Sequence, residues 1–227
     1  MTKRNTNNHN HTLHYDAEYA GFDLHTANAP YIRPYLGRLR TVMQRVLQKH
    51  KRVLAVKFDL HLPAHTNPYL QRNPITEFIE RVKAGIASYQ NAVARRGQRV
   101  YPTEVEYVAK IEQTPDNELE HYHVVLFTNK DTLYPVGNLS HEDPTKLGKI
   151  IRLAWLKTHG LSADSRVALL HTSTPVFRVL QGPLSTDDPV HRDAFLHFSY
   201  LCKEKTTKYQ GKRQSFYSSN AKNKAPA

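Results

Sequence analysis

Apolar residues change their spacing several times along this chain, and each change marks an element. Leu36, Leu39, Val42, Met43, Val46 and Leu47 recur at intervals of three and four after Pro34, which predicts a helix over about 34–50. The run from Val53 to Leu60 is short, rich in β-branched residues and closed by Pro63, so it reads as a buried strand. Ile75, Phe78, Ile79, Val82, Ile86, Tyr89 and Val93 return to helical spacing between Pro74 and Gly97. Glu104 to Glu112 and His121 to Phe127 then alternate on either side of a Pro115-Asp-Asn117 loop, the signature of a hairpin. Asp143-Pro144 opens a third helix that carries Leu147, Ile150, Ile151, Ala154 and Trp155 and stops at Gly160. Strand-like pieces near 166–171 and 175–180 follow, and Asp187-Asp188-Pro189 begins a last helix through Phe195, Leu196, Ser199 and Tyr200. This order predicts the α+β class, with a central antiparallel sheet covered by helices.

Length and composition narrow the setting. The 227 residues, 39% of them hydrophobic, suit one elaborated domain with a real core. Residues 1–15 are rich in Asn, His and Thr and poor in apolar side chains, so the expectation there is a disordered arm, with a single domain over 16–217 and a second disordered tail over 218–227. Cys202 is the one cysteine, which forms no internal disulfide and fits a reducing compartment. Apolar runs are far shorter than a membrane span, and no signal-peptide pattern follows the basic N-terminus. A cytoplasmic protein is the expectation. The net charge of +12 makes a polyanion the natural partner, nucleic acid first.

Two places along the chain carry chemistry. On a strand, His121 and His123 point to the same side, about 7 Å apart, while Tyr122 points away. The 14 histidines are enough for such a pair to arise by chance, as His9-Asn10-His11 does, but the hairpin adds a partner. With paired residue numbers summing to 233, Glu112 lies opposite His121 and Lys110 opposite His123. Two imidazole nitrogens and a carboxylate suit a divalent ion such as Mg²⁺ or Mn²⁺ with open positions. A one-residue slip breaks this triad, and Glu106, of the same parity, is then the substitute ligand. The second place is Tyr200-Leu-Cys-Lys203. On a helix, residues three apart share a face, so the phenol and the ammonium converge. The ammonium would offset charge developing on a phosphate under attack, with Tyr200 as nucleophile.

The succession of a strand ending Phe58-Asp59-Leu60-His61, then Glu112, His121-Tyr-His123 and Tyr200-Leu-Cys-Lys203, resembles the HUH endonucleases, the rolling-circle replication initiators and relaxases. More narrowly, Phe58-Asp-Leu-His61, His121 to Asn129 and Tyr200 to Lys208 look like the inovirus Gp2 family, also called YagK/YfjJ C-terminal domains, of filamentous phages and integrated elements. The resemblance covers roughly residues 35–220. It implies a single-tyrosine enzyme that nicks and rejoins single-stranded DNA at a replication origin. A metal on His121, His123 and Glu112 would polarise the phosphodiester, and Tyr200 would form a 5′-phosphotyrosyl link. Lys203 would orient the phosphate, and a host helicase and polymerase would continue replication. Tyr209 is a reserve nucleophile, and the sequence leaves the roles of Asp59 and His61 open.

From Tyr200 to the C-terminus, seven Lys and Arg residues face Glu204 alone, half of the net charge. Among them Lys205, Lys208, Lys212 and Arg213, interleaved with Tyr209, Phe216 and Tyr217, predict a single-strand binding surface. Arg38, Arg40, Arg45 and Lys49 to Arg52 would extend it. Two other readings stand beside this one. His171-Thr-Ser173 and His197-Phe-Ser199 have the spacing of metal-free two-histidine phosphoesterases, although only 26 residues separate them. A DNA-binding regulator that keeps the basic surface without cutting is the other.

Overall fold

The computed structural model describes residues 3–64, 74–113, 120–133, 146–165, 167–172, 176–209 and 214–220. Four short strands come first: β1 (Lys3–Arg4), β2 (Thr12–His14), β3 (Glu18–Tyr19) and β4 (Phe22–Asp23). Then follow β5 (Tyr31–Ile32), α1 (Arg33–Lys49), β6 (Arg52–His61), α2 (Pro74–Arg95), β7 (Glu106–Glu112), β8 (His121–Asn129), α3 (Lys130–Leu133) and α4 (Lys146–Thr158). The chain continues with β9 (Leu170–His171), β10 (Phe177–Gln181), α5 (Pro189–Phe198), a 3₁₀ turn (Ser199–Cys202) and β11 (Phe216–Ser218).

The central sheet runs β10-β6-β8-β7-β11, every pair antiparallel, with β9 also on β6. From β6 to β10 the order is strand, helix, hairpin, helix, strand, with the first and third strands central, as in a split-βαβ, ferredoxin-like sheet. The expected α+β class is the one observed.

Alternation along β6, β7 and β8 divides the sheet into two apolar faces. Leu54, Val56, Phe58, Leu60, Ala109, Ile111, Tyr122, Val124 and Leu126 pack against the apolar stripes of α2 and α4. Gly85 makes room for Ile150 of α4, since a Cβ there would lie 2.8 Å from an Ile150 methyl. Gly97 and Gly160 follow α2 and α4 with φ of 68° and 66°, the left-handed conformation that glycine adopts freely. On the opposite face Val53, Ala55, Val108, Val125 and Phe127 pack under α1 and α5. That cover stops at one end of the sheet, and the polar side chains of Lys57, Asp59, His61, Lys110, Glu112, His121 and His123 continue the same face beyond it.

The N-terminal segment corrects the composition-based expectation of a disordered arm. β1 pairs with β2 and β2 with β5, Leu13 enters the core, and Asn5 is buried with its amide donating to the Tyr209 hydroxyl at 2.6 Å. A few long-range contacts order a stretch that has no apolar period of its own. Of the expected C-terminal tail, Ser218 lies in β11, and the Ser219 hydroxyl accepts from the Tyr107 amide of β7 and donates to Glu106, whereas residues 221–227 lie outside the described residues. Among the described residues, no helix is long and apolar enough to cross a membrane.

Candidate metal and tyrosine site

The hairpin register is the one the sequence predicts: Glu112 pairs with His121 and Lys110 with His123. β6 adds a layer on the other side, with Asp59 opposite His123 and His61 opposite His121. Glu112, His121 and His123 offer ligand atoms that all lie within 4.8 Å of one another. Glu112 Oε2 is 3.3 Å from His123 Nε2 and 3.9 Å from His121 Nε2.

Asp59 orients this group. Its Oδ1 contacts His123 Nδ1 at 2.5 Å, which turns Nε2 toward Glu112, and that nitrogen is buried without a hydrogen-bond partner among the described residues. A carboxylate on the far nitrogen is the usual way of fixing a metal-binding imidazole. His61 stacks on His121 with ring centroids 5.6 Å apart and also meets His171 at 4.5 Å. Asp59 and His61, whose roles the sequence leaves open, are thus a supporting carboxylate and a stacking ring.

The electrostatics suit a resident cation. Burial and the neighbouring His123 push His121 down to about 4, so it is a neutral donor at pH 7. Burial also acts to lower His123, but Asp59 and Glu112 together outweigh it and raise the imidazole above its ordinary value. Burial disfavours charge on Glu112, yet His123 and Lys110 hold its carboxyl well below the usual range. Lys110, fully buried, contacts Glu112 Oε1 at 2.8 Å and donates to the Lys203 carbonyl at 2.7 Å. Burial brings its ammonium down to about 8. One carboxylate oxygen is therefore committed to Lys110. The other, Oε2, accepts from the Thr206 hydroxyl at 2.7 Å and lies 3.2 Å from Lys203 Nζ. Thr206 has φ of 66°, a strained conformation for a β-branched residue, at the point where its hydroxyl meets Glu112.

Tyr200 reaches the same place. Asp188 caps α5 by accepting from the Val190 and His191 amides, and the helix ends at Phe198. The predicted continuation through Tyr200 instead tightens into the 3₁₀ turn, after which Lys203 adopts extended backbone and bridges to Tyr31. At three residues per turn, Tyr200 and Lys203 still share a face. The Tyr200 ring lies 5.4 Å from the His123 ring, and Lys203 Nζ sits over it, 3.6 Å from the centroid. The ammonium thus bridges the ring and Glu112, whereas the helical spacing predicts it beside the phenol alone.

Other sequence-predicted residues are placed differently. Lys208, expected on the DNA-binding surface, is paired with Glu120 at 2.7 Å and largely buried. Lys205 is exposed, and Lys212 and Arg213 lie outside the described residues. Tyr209 is half-buried, held by Asn5 and Glu204, and burial raises its phenol. Tyr217 lies on the sheet face that carries α2 and α4. Ser199 is buried and donates to the Leu196 carbonyl, while Ser173, its counterpart in the two-histidine reading, lies outside the described residues.

Glu106 is not a substitute ligand. It is buried at the opposite end of β7, pairing with both nitrogens of the Arg45 fork and with Lys49 at 2.7 Å. Arg45 and Lys49 are therefore taken from the expected basic strip, as is Arg52 by its pair with Asp131. Although burial opposes ionisation, Arg45, Lys49 and Ser219 bring Glu106 down to about 2. A folded value below the unfolded one contributes stability above about pH 4.5 that is lost as pH falls toward 2, about 3 kcal/mol in all. Glu106→Gln should lower the melting temperature by roughly 6–12 °C and flatten the acid limb of a stability-against-pH curve. An unchanged acid limb would show that the pair contributes little.

The YagK/YfjJ C-terminal domain model matches residues 16–219. The uncharacterized Escherichia coli K12 protein YagK is 24% identical over 149 residues, 62% of this chain and 70% of that protein. YfjJ of the same strain, also uncharacterized, is 23% identical over 204 residues, 85% of this chain and 92% of its own. No solved structure matches the chain.

Proposed function

The chain belongs to the YagK/YfjJ C-terminal domain family, and from that premise we propose that it nicks and rejoins single-stranded DNA through a tyrosyl intermediate, using a divalent metal. Its cellular role would be to start rolling-circle replication of a phage or mobile element. The observation that carries this reading is the meeting of Tyr200 with the Glu112–His121–His123 group across a ring separation of 5.4 Å.

The residues fit such an ion. His123 Nε2 is buried, without a hydrogen-bond partner among the described residues and 3.3 Å from Glu112 Oε2, and imidazole nitrogen and carboxylate oxygen are donors that Mn²⁺ or Mg²⁺ accepts. When bound, a divalent ion supplies Lewis-acid polarisation of the scissile phosphodiester. The remaining steps belong to the chain. Tyr200 gives up its phenolic proton to solvent, and its oxygen forms a bond to phosphorus. The P–O3′ bond breaks, and the departing 3′-oxygen takes up a proton. A 5′-phosphotyrosyl link and a free 3′-hydroxyl remain, the latter available to a host polymerase. Lys203, over the phenol ring and beside Glu112, offsets the negative charge that gathers on the phosphoryl oxygens. Attack by a 3′-hydroxyl on the link reverses the sequence and joins the strand.

The full chain mixed with labelled single-stranded oligonucleotides and Mn²⁺ should give a denaturation-resistant protein–DNA adduct. Chelation should abolish the adduct and added Mn²⁺ or Mg²⁺ restore it. Capture that persists in chelator would overturn the metal-dependent mechanism, and binding without capture would favour a non-cutting regulator.

A further inference from the structure

Beside Tyr200, and apart from the three candidate ligands, lies a second group of basic side chains. Lys57 precedes Asp59 by two residues on β6 and so shares its face of the sheet, and its Nζ is 4.8 Å from the Tyr200 ring centroid. Arg178 stands on β10 opposite Ala55, two residues from Lys57 along β6, and packs over Phe198. His197, in the last turn of α5, is three residues before Tyr200 and falls on its side of the chain.

These groups are close enough to act on one another. Burial brings the His197 imidazole down to about 4, with Lys57 and Arg178 adding to the effect, and burial followed by Arg178 and Lys203 lowers Lys57 despite Asp59. Lys57 and Arg178 are each only 7% exposed. Burying cations is costly unless they are paired, and only part of the charge here is matched. Asp193 takes Arg178 Nε, yet Arg178 Nη1 and His197 Nε2 are buried with no hydrogen-bond partner among the described residues. Lys57 Nζ makes no hydrogen bond or ion pair among them either. A purely structural role would leave neither those two nitrogens nor the Lys57 ammonium without a partner. Donors from a strand, a neighbouring strand and a helix end, unmatched and gathered next to a phenol, suit a tetrahedral oxyanion.

We infer that Lys57, Arg178 and His197 form a second phosphate subsite, which holds the phosphodiester adjoining the one that Tyr200 attacks. This rests on the DNA-nicking reading. Lys57 and Arg178 are then positioning residues: they fix the strand so that the scissile phosphate lies between the phenol and the Glu112–His121–His123 group.

The test measures the affinity of the full chain, with Mn²⁺, for single-stranded oligonucleotides across a range of salt, with adduct formation followed in parallel. Removing one cation that neutralises a phosphate should flatten the slope of log affinity against log salt by about 0.7. Lys57→Met and Arg178→Gln should each do so and weaken binding by about tenfold or more. Lys83→Met, on α2 beyond the opposite face, should leave the slope unchanged. Lys57→Met removes a desolvated charge and should fold, so it decides the matter alone if Arg178→Gln proves unstable. A methylphosphonate scan of the oligonucleotide adds a coupling readout: one neutralised position should weaken the parent but not the Lys57→Met variant. If the parent captures DNA and neither slope nor methylphosphonate sensitivity changes in Lys57→Met, the subsite is refuted and the nicking reading stands. If the parent neither binds nor captures DNA, the nicking reading falls, and the subsite with it.

Discussion

Tyr200→Phe should reduce covalent capture of single-stranded DNA by at least about a thousandfold while leaving binding nearly unchanged. The ring is held by its faces and edges: His123 meets it edge-on, and Lys57 and Lys203 approach it as cations. Phenylalanine keeps that packing and lacks only the oxygen that would attack phosphorus. Tyr209 is no substitute, because its hydroxyl is tied to Asn5 and Glu204 and burial makes its phenol harder to ionise. Filter binding and denaturing gels on the same samples separate the two effects. Capture retained by Tyr200→Phe and abolished only when Tyr209 is also replaced would move the nucleophile to Tyr209.

The second large effect concerns Glu112. Glu112→Ala should remove metal binding and also cost about 3–5 kcal/mol, roughly 6–20 °C in melting temperature, because Lys110 is left as a fully buried cation without its carboxylate. Lys110→Met combined with Glu112→Leu should recover most of the stability, since apolar residues of similar volume commonly replace a buried pair without loss. It should recover none of the Mn²⁺ binding. Calorimetry and Mn²⁺ titration on the three proteins check both halves. Metal binding in the double variant would exclude Glu112 as a ligand, and an undiminished melting temperature in Glu112→Ala would show that Lys110 finds another partner.

The site was legible where it depends on alternation and register. Strand period brings His121 and His123 to one face, and Glu112 joins them once the two alternating runs are paired about their intervening loop. Lys110 was legible in principle, as a same-parity neighbour two residues before Glu112 and opposite His123. Its complete burial was not, because that depends on the carbonyl of Lys203, 93 residues away. Asp59 was visible only as a strand-end carboxylate, and its role needs β6 to lie beside β8. The pairing of Lys208 was not legible because a basic run gives no sign of Glu120, on the far side of the hairpin loop. The N-terminal strands were hidden for a related reason: two- and three-residue strands have too few positions for a period, and what orders them is Leu13, Asn5 and the partners they meet across the chain. Lys57 and Arg178 sit within apolar strands, where a single long side chain passes for a snorkelling edge residue until its surroundings are seen.

Titrating Mn²⁺ into the full chain, with His and Tyr side chains isotopically labelled for magnetic resonance, asks whether one ion lies beside both histidines and the phenol. The His121, His123 and Tyr200 ring signals should broaden together at substoichiometric metal, before that of Tyr101, which bonds Thr132 beyond the far end of β8, and Glu112→Gln should abolish the effect. Broadening confined to other parts of the molecule, with those three rings unaffected, would contradict a metal centre in reach of Tyr200.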